Sequence, residues 1–416
     1  MRLWKVGRAL GLAFAAAVLT SAGIFYGLVV LLDFKEIDST TKLDAQTLFD
    51  LVKLSFGVVA GAGALVALVV AYRRQRVDEA GAHREATRLH TERFSQAVDK
   101  LGSDSPAVRL GGVHALAGLA DDAPDVNLRQ TCIDVLCAYL RLPHTPDPGT
   151  AELENHHLYL ALREVRHTIL RLIGDHYRRP EGTRHSWQGC DLDLTIDGNM
   201  DFSDARFTRG TVTFNGASFS GSTVIFRDAT FSGGTVSFSG ATISDSRLLF
   251  NDAMISDSTV LFNDATISEG SVVSFAHATV SGGSAYFGDS TISGGSVYFG
   301  DSTISGGSVY FGDSTISRGT VYFSGSTFSG GSVYLGDSTI SGGAVDFGDS
   351  TFSGGAVYFN RTTISGGTVS FGDTTFSGGT LDFSNTTGPA PTGLLTAVGS
   401  PVPTTVILSQ AWAPIP

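Results

Sequence analysis

Cysteine is scarce: three residues in a chain of 416. Cys132, Cys137 and Cys190 are odd in number and do not recur with the repeated part of the sequence. A disulfide framework is therefore excluded, and a reducing compartment fits. Cys132 and Cys137 are five apart, which is neither a CxxC redox pair nor a zinc-knuckle spacing. They read as ordinary, partly buried thiols. Charge is scarce too, at 16 % of residues. Two stretches have none. Residues 9–32 and 54–72 carry no Asp, Glu, Lys, Arg or His, so an ion or proton path through them has no side chains to use. Sequence signatures of chemistry are also missing. There is no P-loop, no GxGxxG, no HExxH and no calcium-binding nonapeptide with its GGxGxD spacing. No Ser/His/Asp set or carboxylate pair stands out. The sequence predicts no catalytic residue, no cofactor, no metal ligand and no small-molecule substrate.

The uncharged runs are long enough to span a bilayer. Arg2, Lys5 and Arg8 precede the first, and Arg73, Arg74 and Arg76 follow the second. By the positive-inside rule both termini face the cytoplasm and the short loop between the runs faces out. Residues 1–72 thus read as a transmembrane helical hairpin (9–32 and 54–72) in the cytoplasmic, inner membrane, with the lipid bilayer as first partner. Gly23-xxx-Gly27 and Gly57-xxx-Gly61 give the small-residue spacing that lets helices approach closely. It suits hairpin packing within one chain, or homo-oligomer formation.

Residues 73–186 read as a cytoplasmic α-helical segment. A charged, proline-free stretch runs to Gly102, a helix stop. Helical spacing then appears in Val108, Val113, Leu116 and Leu119; in Ile133, Leu136, Cys137 and Leu140; and in Leu158, Leu162, Val165, Ile169 and Ile173. "AVRLGGVHALAGLADD" resembles a HEAT-like helical hairpin. His114, His156, His157, His167 and His176 lack metal-ligand spacing and read as solvated or capping residues.

From 187 to 386 the chain repeats itself. Residues 287–298 read FGDSTISGGSVY, and 299–310 read the same. Apolar anchors recur every twelve residues from Phe202 to Phe383, with one extra residue near Val272–Val273, making sixteen units. Within a unit the apolar steps are five, five and two, as in Phe287, Ile292, Val297 and Phe299. A step of two keeps both side chains on one side of a strand. "VYF" and "TIS" are therefore short strands with Phe, Ile and Val inward and Tyr, Thr and Ser outward. "GD" and "SGG" are turns, with Gly supplying positive φ and Asp bonding back to the backbone. Such a unit, repeated, is a β-solenoid. A twelve-residue coil would crowd its interior. Two units per coil, 24 residues and about eight coils, would fill a core at normal density.

Ala205-x-Phe207, Ala217-x-Phe219, Ala229-x-Phe231 and Ala241-x-Ile243 resemble the A-x-[LF] pattern of pentapeptide-repeat proteins. The order of a two-span hairpin, a helical segment, a "SWQG" junction (186–189) and repeats is similar to bacterial membrane-anchored members of that family. The resemblance implies a right-handed β-helix and no particular activity. Strict pentapeptide repeats step by five throughout, whereas this chain alternates five and seven, which puts a regular square cross-section in question.

The fold expected is thus multidomain: a transmembrane helical hairpin, a small all-α segment, a C-terminal right-handed β-helix, and a Pro-rich tail (387–416) that either caps the last coil or is disordered. The repeats hold 19 acidic and six basic residues, a net −13 against −12 for the chain. With 24-residue coils, Tyr286, Tyr310, Tyr334 and Tyr358 form one outward column, and Tyr298 and Tyr322 another. That column serves either stacking between coils or recognition by a protein partner. The function expected is a membrane-tethered, non-catalytic scaffold for protein–protein interaction. Two alternatives are an acidic nucleic-acid mimic acting on a DNA topoisomerase and, were the topology inverted, an adhesin-like surface module. Neutral Ser, Thr and Gly faces weigh against nucleic acid itself as a partner, and the sparse arginines weigh against a β-helix lyase.

Overall fold

A computed structural model describes scattered positions within 15–30, and then residues 45–143, 148–149, 152–194 and 199–412. Two compact units result, Met1–Arg88 and Leu89–Pro416. In the first, the described positions of 15–30 are helical, and a long helix α1 (Ala45–Leu101) begins and runs on into the second unit. Within it, Val52–Leu101 contains the one window among the described residues that is long and apolar enough to cross a membrane, at a mean hydropathy of 2.3 and with none of it buried. The rest of the expected first span and most of the connecting loop lie outside the described residues. Among the described residues, a Cβ placed on Gly23, Gly27, Gly57 or Gly61 would have nothing within 4 Å.

The second unit begins with three amphipathic helices, α2 (Pro106–Asp121), α3 (Val126–Arg141) and α4 (Leu153–Arg178). Pro106 starts α2, where a missing N–H costs nothing. Asp125 caps α3, its carboxylate accepting from the backbone N–H groups of Asn127 and Leu128. Val113, Leu116, Ile133, Leu136, Leu140, Val165, Ile169 and Ile173 are buried as their spacing predicts, whereas Val108 and Leu158 are exposed. α2 crosses close to the end of α1: a Cβ on Gly112 would stand 2.6 Å from the Leu101 nitrogen.

A parallel β-solenoid follows. One coil shows its plan. Ser284–Tyr286, Thr291–Ser293, Ser296–Tyr298 and Thr303–Ile304 are successive strands on four faces. Ser308–Tyr310 then returns to the first face, with Tyr286 opposite Tyr310. The coil is therefore 24 residues, two units of the repeat, and the cross-section is four-sided despite the uneven steps. Faces alternate between two corner types: counted between inward strand residues, the tight "SGG" corner takes a step of five (Ile292 to Val297), and the longer "FGDS" corner takes a step of seven (Val297 to Ile304). Pairing starts at Leu192–Asp193 and continues to Val406–Ile407, about nine turns rather than eight. The extra residue falls in the corner Glu269–Ser271, between Ser268 (opposite Ser293) and Val272 (opposite Ser296), and not in the strand. Inside a strand it would have turned every following side chain to the wrong side.

The interior is apolar and closely stacked. Phe287, Ile292, Val297, Phe299, Ile304 and Val309 are all fully buried. Phe rings stack coil on coil, as in Phe262–Phe287 at 4.7 Å and Phe275–Phe299 at 4.7 Å. The two columns meet edge to face, Phe275 against Phe287 at 6.3 Å and 83°. Both arrangements are favourable for aromatic quadrupoles.

One assignment of turn chemistry is corrected and another is extended. At the "FGDS" corner Asp itself takes positive φ: 56° at Asp289, 57° at Asp301, 58° at Asp313. Asp tolerates the left-handed region better than most residues. At the "SGG" corner the first glycine takes positive φ as expected at Gly294 (97°) and Gly342 (77°). The second position serves close approach: at Gly319, which holds it in Ser317-Arg318-Gly319, a Cβ would lie 2.4 Å from Ile292 Cγ2 and 2.8 Å from the Gly295 carbonyl oxygen. The serine of "FGDS" points inward, and the sequence reading did not place it. Ser302 Oγ donates to the Phe275 carbonyl at 2.7 Å, Ser314 Oγ to Phe287 at 2.5 Å, and Thr386 Oγ1 to Phe359 at 2.6 Å. Each hydroxyl is thus satisfied by the coil before it, which makes its burial affordable.

Candidate interaction surface

The outward side chains of the solenoid form rows in register. On the first face Tyr286, Tyr310, Tyr334 and Tyr358 stack at 4.4, 4.5 and 4.9 Å with nearly parallel rings. Leu261 precedes the column and Asp382 follows it. On the third face Tyr298 and Tyr322 stack at 4.6 Å, between Ser274 and Asp346. The sequence had joined these tyrosines by spacing, and they do come together. Because the rings cover one another's faces, the column presents ring edges and hydroxyls outward. The second and fourth faces carry Thr and Ser ladders, among them Thr266, Thr291, Thr315 and Thr339 in register.

Two edges of the rod are acidic. Asp264, Asp289, Asp313 and Asp337 fall one per turn beside the long Tyr column. Asp301, Asp349 and Asp373 fall along the edge between the third and fourth faces. Arg361 interrupts the first row. Its guanidinium donates to Asp337 at 2.7 Å. Hydrogen bonding and charge from Arg361 hold the Asp337 carboxyl below its usual range, and Asp337 raises Arg361 in turn.

Both ends of the rod are covered. At the first turn, Tyr177 packs on Phe202 and Phe207, its hydroxyl donates to the Cys190 carbonyl at 2.7 Å, and Arg178 Nε donates to the Ser203 carbonyl at 2.7 Å. The junction residue Trp187 is fully buried. Its indole N–H donates to Asp121 Oδ1 at 2.9 Å, and its ring stacks on His176 at 4.0 Å. His176 is therefore a buried junction residue, not a solvated one, and it also faces Asp121 at 3.2 Å. At the other end, the tail adds a parallel strand, Val406–Ile407, and a short helix α5 (Leu394–Val398). Trp412 lies edge-on to Phe383 at 5.4 Å.

Among the described residues no group of three or more His, Cys, Asp and Glu could hold a metal ion. Burial pushes the thiols of Cys132 and Cys137 up to about 12 and that of Cys190 to about 11, which suppresses the reactive thiolate.

The C-terminal region is thus a capped, four-sided parallel β-solenoid, and its last coils carry pentapeptide repeats. Residues 342–387 match the family "Pentapeptide repeats" in nine copies. No curated protein matches the chain. Among solved structures it is similar to two trypsin-treated variants of QnrB1, a plasmid-mediated fluoroquinolone resistance protein. The first is 16 % identical over 45 % of this chain and 90 % of that one, with a TM-score of 0.19. The second is 15 % identical over 42 % and 91 %, with a TM-score of 0.12. A likeness of that size transfers no partner to this chain.

Proposed function

We propose that the chain is a non-catalytic scaffold that holds a rigid, acidic β-solenoid at a membrane for protein–protein interaction. The observation that carries this reading is the Tyr286–Tyr358 column beside a one-per-turn row of aspartates, on a rod whose two ends are closed and whose sides are open. Aromatic side chains at fixed spacing offer contact area with little conformational entropy to lose. The N-terminal apolar helices supply the tether, and basic flanks place both termini in the cytoplasm. The test is proximity labelling in the native cell with the full chain and with a Tyr286→Ser/Tyr310→Ser/Tyr334→Ser/Tyr358→Ser variant. Neighbours lost in the variant at equal protein level are expected. A labelling pattern that persists even after deletion of the whole solenoid would sink the reading.

The acidity of the solenoid favours a second reading, an acidic nucleic-acid mimic acting on a DNA topoisomerase. Full chain added to a gyrase supercoiling assay at micromolar concentration decides this: no inhibition removes it. A reporter at the C-terminus tests orientation. A signal from outside the cell would replace the cytoplasmic scaffold with an adhesin-like module.

A further inference from the structure

The helical segment and the first turns of the solenoid line an open cavity of about 760 Å³ that the scaffold reading does not use. Its size is that of a small-molecule site. Its charge is opposite to the rest of the chain. Arg109 from α2 and Arg163, Arg166 and His167 from α4 line it, and among the described residues Glu152 is the only acidic one in the lining. The Glu152 carboxylate already accepts from Asn155 at 2.7 Å.

Two of the guanidinium groups are seated on aromatic rings. Arg109 lies 5.9 Å over Tyr139, donates from Nε to the Ser103 carbonyl at 2.5 Å and donates from NH1 to the Tyr139 hydroxyl at 3.1 Å. Its planar fork is therefore oriented before any ligand arrives. Arg163 lies 6.0 Å over Tyr159. Like charges gathered in a concave site repel one another unless an anion joins them. Planar guanidinium groups match phosphate oxygens in pairs. Leu158 and Leu162 line the same cavity and give an apolar wall.

We propose that this cavity binds a phosphate-bearing anion, held by Arg109 and Arg163. The inference does not rest on the scaffold reading, since no residue of the Tyr column takes part. The chemistry is shared by a free phosphoanhydride and by a phospholipid headgroup, and the experiment separates them. Detergent-solubilised full chain is titrated calorimetrically with inorganic pyrophosphate and, separately, with mixed micelles containing short-chain phosphatidylglycerol. Saturable binding of at least one probe is expected, weakened at least tenfold by Arg163→Glu and unchanged by Arg206→Gln, a basic position outside the cavity. Arg163 is exposed, so its substitution leaves the fold intact, and an unchanged thermal midpoint checks this. Pyrophosphate binding points to a free phosphate, and micelle binding alone to a lipid headgroup. Binding of neither probe, or binding indifferent to Arg163→Glu, overturns the proposal.

Discussion

Asp313 shows what one residue does in this fold. It sits at φ 58°, in the third position of a turn closed by the Ser314 N–H bonding the Phe311 carbonyl. Gly325 holds the same position one half-coil later, at φ 72°. Asp313→Gly should therefore leave the thermal midpoint nearly unchanged. Asp313→Ala adds a Cβ without the local hydrogen bonding of Asp and should cost about 1 kcal/mol. Paired denaturation curves check the difference, and equal effects would refute the turn argument. Cys132 and Cys137 make a second case. With folded thiols raised from 9.0 to about 12, the native protein holds protons that the unfolded chain releases above its own value near 9. Their contribution to stability is therefore present below pH 9 and lost as pH rises toward 12. Alkylation at pH 8 should be slow in the native state and fast in denaturant. Equal rates would show the thiols to be accessible.

At the scale of the element, the "SGG" corner is decided by neighbouring coils. Gly319 is pressed against Ile292 and the Gly295 carbonyl, whereas a Cβ on Gly300 would meet nothing closer than the Ser324 carbonyl oxygen at 3.4 Å. Gly319→Ala should lower stability by roughly 2 kcal/mol or more, because backbone must shift. Gly300→Ala should be nearly neutral, and the two melting curves separate the cases. The sequence marked both glycines as turn residues and could not tell them apart, because the obstructing atoms come from the coil before. The inward serine escaped for the same reason: Ser314 and its acceptor Phe287 are 27 residues apart. Only the shift from Ala205–Ala278 to Ser290–Ser350 at one repeat position hinted that this site is interior and small.

For the whole molecule, closure of both ends matters most. A solenoid with an open last coil exposes strand edges that pair with other chains. Deleting residues 387–416 removes the strand Val406–Ile407, the buried Leu394 and Val398, and the Trp412 contact on Phe383. The truncated protein should associate at concentrations where the full chain does not, as light scattering would show. An unchanged size distribution would mean that the tail is no cap. At the opposite end, the junction of Trp187, His176 and Asp121 joins the helices to the rod. Those residues lie up to 66 apart in sequence, so spacing could not reveal them.

The sequence by itself determined the solenoid, its inward Phe, Ile and Val, and the outward tyrosines, since a strand carries its two sides as alternate letters. It also determined the helical stripes, apart from exposed Val108 and Leu158. Core density favoured two repeats per coil, and tertiary structure settled it, with Tyr286 opposite Tyr310. The two halves are chemically alike, so the letters repeat every twelve, and only closure around a filled core distinguishes a half turn from a full one. It likewise decided which corner residue takes positive φ, where the inserted residue goes, and how Arg109 and Arg163, 54 positions apart, come to line one cavity. Those outcomes depend on contacts between segments, which no local pattern records.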